Sequence, residues 1–195
     1  MGEIRDPSTQ KGAIVDSDGY LRVSGKNPYL HWYVEHAAQG YIANFANVSF
    51  DTGNANERVA YIENDSSTTF LTIDEIRVQV ADPGATIPIY TTYVDLVKGL
   101  TYSAIGEGAA VEPVNLNLES GNDANATCYQ ENITTTGTAV VLDKVIVPNE
   151  APFLLGSQLA HGALMLGQND AITVRYESAT SVAYIYVSVL FHFED

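Results

Sequence analysis

Few residues in this 195-residue chain could do chemistry: four histidines, one cysteine and a scatter of acids. His31 and His36 stand five apart, a spacing that fits neither i,i+2 on a strand nor i,i+4 on a helix, so they make no metal pair. His192 falls in the last apolar stretch, where packing or a hydrogen bond explains it. Cys128 is alone, which excludes an internal disulfide and gives no basis for a zinc site. Asp16-Ser17-Asp18-Gly19 opens like a calcium loop. The full pattern needs a closing Glu twelve positions from the first ligand, and Asn27 stands there. Asp16 and Asp18 are therefore the metal candidates, read as a solvated acidic turn. Gly-x-Ser-x-Gly, His-Glu-x-x-His and a phosphate-binding glycine loop are all missing, and Gly106-Glu107-Gly108 reads as a flexible loop.

Carboxylate pairs such as Asp74 and Glu75, or Glu194 and Asp195, suggest glycoside hydrolysis in principle. Adjacent acids on a regular strand point to opposite faces, so neither pair shares a site by itself. Acids distant in sequence can still converge in a fold. No catalytic residue and no cofactor is assigned from the sequence. Asn47, Asn64, Asn125 and Asn132 each head an Asn-x-Ser/Thr triplet, which is read as turn and strand-edge polarity.

The elements that would position these groups are short. Gly, Pro, Asn and Asp punctuate the chain about every ten residues, with Val-, Ile-, Thr- and Tyr-rich segments between them, the pattern of an antiparallel β-sandwich or barrel. Strands are expected at 19–23, 41–50, 58–62, 70–80, 87–93, 114–119, 126–132, 139–147, 171–177 and 183–193. The last is apolar on both faces, which predicts cover from the core and from a neighbour. In 70–80 the alternation shifts register near Ile76, which predicts a bulge. Asp82-Pro83-Gly84-Ala85 and Gly167-Gln168-Asn169-Asp170 read as turns, and Ser178–Ser181 as a hairpin loop. Residues 151–159 form a helical turn or an apolar loop. Residues 1–18 are polar without alternation and read as an N-terminal arm. Residues 19–195 read as a single jelly-roll-type sandwich domain.

Nine basic against 24 acidic residues give a net charge of −15, so the chain repels nucleic acid and anionic membrane surfaces. Charged residues make up 17% of the chain, against about 25% in an ordinary domain, so the imbalance reflects scarce Lys and Arg. A hydrophobic share of 46% excludes wholesale disorder. No apolar run reaches the roughly 20 residues that span a bilayer, and Met1–Gln10 has no signal-peptide core. Tyr is abundant, with 12 copies. Tyr29, Trp32, Tyr33, Tyr184 and Tyr186 lie in segments apolar on both faces and are the interface candidates.

Three stretches carry a likeness to known proteins. They are Asp18-Gly19-Tyr20-Leu21-Arg22-Val23 with His36-Ala37-Ala38-Gln39-Gly40-Tyr41, then Pro113 to Gly121, then Leu164 to Val174 with the closing aromatic strand. In these the chain resembles the small all-β virion structural proteins of tailed viruses of bacteria and archaea. The resemblance implies a jelly-roll subunit on the capsid surface, a head decoration or turret protein, with a tail-associated place as an alternative. Implied partners are further copies of itself, as a trimer or pentamer, and the major capsid protein or another virion protein. No enzymatic residues come with the family. The acidic balance suits a virus of salty surroundings, such as one infecting a haloarchaeon, because molar salt screens repulsion between packed subunits. Two other readings stand beside it: a carbohydrate- or receptor-binding jelly roll, and a hydrolase whose acids converge only in the fold.

Overall fold

The computed structural model describes residues 2–5, 12–15, 21–23, 39–49, 57–81, 92–103, 109–131, 133–147, 151–156, 164–178 and 184–194. Asp16, Asp18, Tyr29, Trp32, Tyr33, the turn at 82–85 and the loop at 106–108 lie outside them.

Near the N-terminus β1 (Gly2–Arg5), β2 (Gly12–Val15) and β3 (Leu21–Val23) form a three-stranded antiparallel sheet. Gly2 pairs with Val15 and Arg5 with Gly12. The sequence reading expected a strand only at 19–23. It missed β1 and β2 because segments of four residues are too short for alternation to show.

The rest of the described chain is β4 (Gly40–Ser49), β5 (Glu57–Asn64), β6 (Phe70–Ala81), β7 (Thr92–Tyr102), β8 (Ala109–Ala110), β9 (Val114–Asn115), β10 (Ala126–Gln130), β11 (Thr135–Ile146), β12 (Phe153–Leu155), β13 (Met165–Leu166), β14 (Ala171–Ser178) and β15 (Tyr184–Glu194). These strands make two antiparallel sheets. One runs β11-β7-β14-β5-β10-β8 and the other β12-β6-β15-β4-β9, with β13 also on β6. Their inner faces share one core, so the molecule is an all-β sandwich. Ala43, Leu71, Val78, Val189 and Phe191 come from one sheet and Val59, Ile62, Leu96, Ile172 and Val174 from the other. Full burial of each large side chain is worth about 1.5–3 kcal/mol.

Alternation explains which face goes inward. Along β15, Ile185, Val187, Val189, Phe191 and Phe193 are all buried in the core. The opposite face is only partly covered, and Tyr186 is 40% exposed. Along β6 the core residues are Leu71 and Ile73, then Ile76, Val78 and Val80. Leu190 pairs with Glu75 and Phe191 with Ile73, so Asp74 is the extra residue of a bulge, where the sequence pattern shifts. The turn at Gly167–Asp170 is present too: Asp170 N–H donates to the Gly167 carbonyl at 3.0 Å.

Several expected features differ. Ser178–Ser181 does not close a hairpin, because β14 pairs with β5 and β7 whereas β15 pairs with β4 and β6. The connection instead crosses between sheets. Turn residues alone do not say which strands they join. Most of the strand expected at 87–93 lies outside the described residues; its last two positions open the strand Thr92–Tyr102, which the sequence reading did not expect because Lys98 and Gly99 mask its pattern. That expected at 114–119 stops at Asn115, where side chain–backbone hydrogen bonds take over. The helical turn or loop expected at 151–159 contains an edge strand, Phe153–Leu155, on β6.

Candidate functional site

The described interface candidates, Tyr184 and Tyr186, lie two apart on β15, the central strand of its sheet. Tyr186 is open to solvent and Tyr184 is half-buried. Among the described residues no group of three His, Cys, Asp or Glu is arranged to hold a metal ion.

The nearest thing to catalytic machinery is at the far end of the same face. His192 Nδ1 is 2.7 Å from Asp74 Oδ2, and its Nε2 is 3.9 Å from Glu194 Oε2. Thr72 Oγ1 donates to Glu194 Oε1 at 2.7 Å. The imidazole side chain is only 5% exposed. A nucleophile–base pair needs the hydroxyl on the imidazole, yet Thr72 spends its proton on the carboxylate. The cluster ties β6 to β15, as the packing or hydrogen-bonding expectation for His192 had it. The bulge corrects one inference: Ile73 and Ile76 both enter the core, so Asp74 and Glu75 turn to the same outer face. Glu75 there accepts from Arg77 Nη2 at 2.8 Å.

The outer face of the other sheet carries a second polar cluster. Arg175 grips Asp95 with both ends of its guanidinium, Nε to Oδ1 at 2.9 Å and Nη2 to Oδ2 at 2.5 Å. Arg58 pairs with Arg175 in register. Burial, and then the neighbouring Arg175 charge, lower the Arg58 pKa from its usual value. Lys144 bonds Glu177 at 3.1 Å and lies over the Tyr93 ring. Higher on this face Tyr102 and Tyr129 stack at 4.2 Å beside Tyr61. The Tyr61 hydroxyl donates to Glu63, and burial with this bond pushes its pKa up.

Cys128 faces inward beneath a cleft of about 280 Å³ edged by Glu112, Asp123 and Tyr129. Burial first, and the Asp65 charge second, push its thiol up to about 12. It therefore stays protonated and inert at neutral pH. Asn64 is fully buried. Its amide donates to the carbonyls of Thr69 at 2.9 Å and Leu166 at 2.8 Å, and its Oδ1 accepts from Ser66 N–H. That is turn polarity, as the sequence suggested, and a buried amide is closed to a glycan.

The two ends of the strand order are unlike. β11 and β12 neighbour each other at one edge of the sandwich, and β10 meets β4 toward the other. On β11, Val140 and Val141 are each 50% exposed and Ile146 52%. Thr135–Leu142 carries no charge in a chain of net −15. At the opposite edge, Leu118 follows β9 and is 88% exposed. Its turn is locked: Asn115 Oδ1 accepts from Asn117 N–H, Asn117 Oδ1 from Glu119 N–H, and Ser120 Oγ from Asn122 N–H. Ser120 N–H closes onto the Asn117 carbonyl. Sequence reasoning missed both features. The Asn-x-Asn-x-x-Ser spacing signalled the turn, but it reads as a strand when Leu116 and Leu118 are counted for alternation.

Comparison with protein-family models and with curated proteins finds no match for this chain.

Proposed function

We propose that this chain is a non-enzymatic virion structural protein, an oligomeric jelly-roll subunit that decorates or caps a capsid surface. The observation that carries the reading is the strand order. β4 neighbours β15, β5 neighbours β14, β6 neighbours β12 and β13, and β7 neighbours β11. First strands meet last strands in nested pairs, and each pair alternates between the sheets. A long hairpin wound into two sheets gives this order, and viral capsid domains are among the proteins that use it.

The side-chain chemistry supports a structural role. The imidazole of His192 is held by carboxylates, the Cys128 thiol is kept neutral, and Arg175 is spent on Asp95. The exposed valines of β11 suit contact between copies, because an edge strand presents both apolar side chains and unpaired backbone groups. The three-stranded sheet at Gly2–Val23 is the segment that reaches a neighbour or the capsid floor. Like-charged copies assemble better when salt shortens the Debye length, from about 8 Å at physiological strength to about 3 Å at 1 M.

Light scattering of the purified chain from 0.05 to about 2 M salt tests this reading. A defined oligomer that tightens with salt is the expected result. A monomer at all concentrations and salts would overturn it, and turnover of a glycoside panel or glycan-array binding would replace it.

A further inference from the structure

We propose that the outer face of the β11-β7-β14-β5 sheet holds a binding site for a small carboxylate, with Arg58 as its anchor. The site does not rest on the oligomeric reading above. Its basis is a row of charges that ends one partner short. In register, Arg58 on β5 lies beside Arg175 on β14, Arg175 beside Asp95 on β7, and Asp95 beside Lys144 on β11. Asp95 answers Arg175 through two hydrogen bonds, and Glu177 answers Lys144. Three cations thus meet two carboxylates, and Arg58 is the cation left over. Among the described residues no carboxylate forms an ion pair with it. In a chain of 24 acids and nine basic residues, a cation left without a carboxylate is the opposite of what composition alone would produce.

Arg58 is also poorly hydrated. Its Nε is sealed from solvent and has no hydrogen-bond partner. Burial, and after it the Arg175 charge, disfavours its charged form. The neighbouring row on the same face, Tyr61, Thr173 and Val97, is buried as well, so the cation has a wall of low dielectric on one side. Beside such a wall an ion pair is stronger than in bulk water, and an anion also fills the unmet demand of the guanidinium for acceptors. The chemistry selects a carboxylate. Arg58 is partly exposed, and its two outer nitrogens present a flat fork that matches the two oxygens of a planar carboxylate. The surplus is a single charge, which a monocarboxylate balances and a phosphate dianion overshoots. Asp95 on Arg175 is a pairing of the same kind, already made one strand away.

Thermal melts and titration calorimetry of the full-length chain with sodium acetate at neutral pH test the site, with sodium chloride holding the ionic strength constant. Wild type is expected to gain stability that saturates, with a midpoint on the order of 1 mM, the range open to one small ligand on one charged fork. Arg58→Met, checked by circular dichroism for the β fold, is expected to show no saturable gain. Arg58→Lys keeps the charge without the fork and is expected to bind about tenfold more weakly. It decides the matter even if Arg58→Met fails to fold. A gain equal in wild type and Arg58→Lys, or one that climbs without saturating, would overturn the site. So would a wild type that does not respond when chloride is exchanged for acetate.

Discussion

The side-chain amide of Asn64 donates to the backbone carbonyl of Leu166 at 2.8 Å, across 102 residues of chain. The backbone repeats the connection: Asn64 N–H donates to the Asp170 carbonyl and Asn169 N–H to the Asn64 carbonyl. One residue thus fastens the turn after β5 to the turn before β14. Asn64→Ala strands two buried carbonyls and the Ser66 N–H, each an unmade bond of about 1–3 kcal/mol. The expected loss is about 3 kcal/mol in urea unfolding. A loss under about 0.5 kcal/mol, the size of an ordinary surface change, would contradict the latch.

Asp95 answers two guanidiniums, Arg175 directly and Arg58 beside it. The Arg175 and Asp95 side chains are 14% and 8% exposed. Asp95→Asn leaves adjacent positive charges without a counter-charge in a poorly solvated place, and about 3–5 kcal/mol of stability should go with it. Replacing both partners, Asp95→Leu with Arg175→Met, should restore most of that loss, since matched apolar groups carry no desolvation cost. Chemical denaturation with an unchanged m-value is the measurement.

Alkaline sensitivity follows from Cys128. Its folded pKa, about 12, lies above the roughly 8.5 of an unfolded thiol. The native state therefore keeps a proton that the unfolded chain releases, and stability is full below about pH 8.5 and falls as pH rises toward 12. Tyr41 and Tyr61, raised chiefly by burial, add to the decline above about pH 10. Urea midpoints between pH 8 and 11 should drop, less steeply in Cys128→Val. Thiol reagents at pH 8 should label Cys128 only after unfolding.

Gly99 and Gly137 lie against each other where β7 meets β11, at φ of +83° and +108°. A Cβ on Gly137 would collide with the Gly99 carbonyl, and one on Gly99 with the Thr138 carbonyl. Either alanine variant should lose about 2 kcal/mol or more, from the strained φ together with the clash. Gly137 also begins the register shift in β11, so both alanine variants strain the same β7–β11 junction. Thermal melts of each variant check the loss.

Much of the sandwich was legible because its core strands alternate cleanly. β15 shows this best, and β6 shows it through its break at Asp74. What alternation does not carry is partnership. The β14–β15 turn reads as a hairpin although its strands belong to different sheets. The edges were the least legible. β12 is three residues long, and the Leu118 turn is built from Asn and Ser hydrogen bonds that no periodicity encodes. Of the interface candidates, only Tyr184 and Tyr186 fall within the described residues. The exposed valines of β11 went unremarked because a strand of 12 residues looks the same whether or not another strand lies beyond it.

The last strand lies between β4 and β6, and Ser188 reaches Asn44 across 144 residues. Closing a loop of that size costs about 4 kcal/mol in chain entropy before any contact repays it. While the polypeptide is still emerging from the ribosome, strands 4 and 6 therefore wait unpaired at the position their final neighbour will fill. This sheet closes only once the residues of β15 have been made. A message that stops short of codon 184 yields a product with an open slot at the middle of one layer, its two flanking strands left with bare backbone edges.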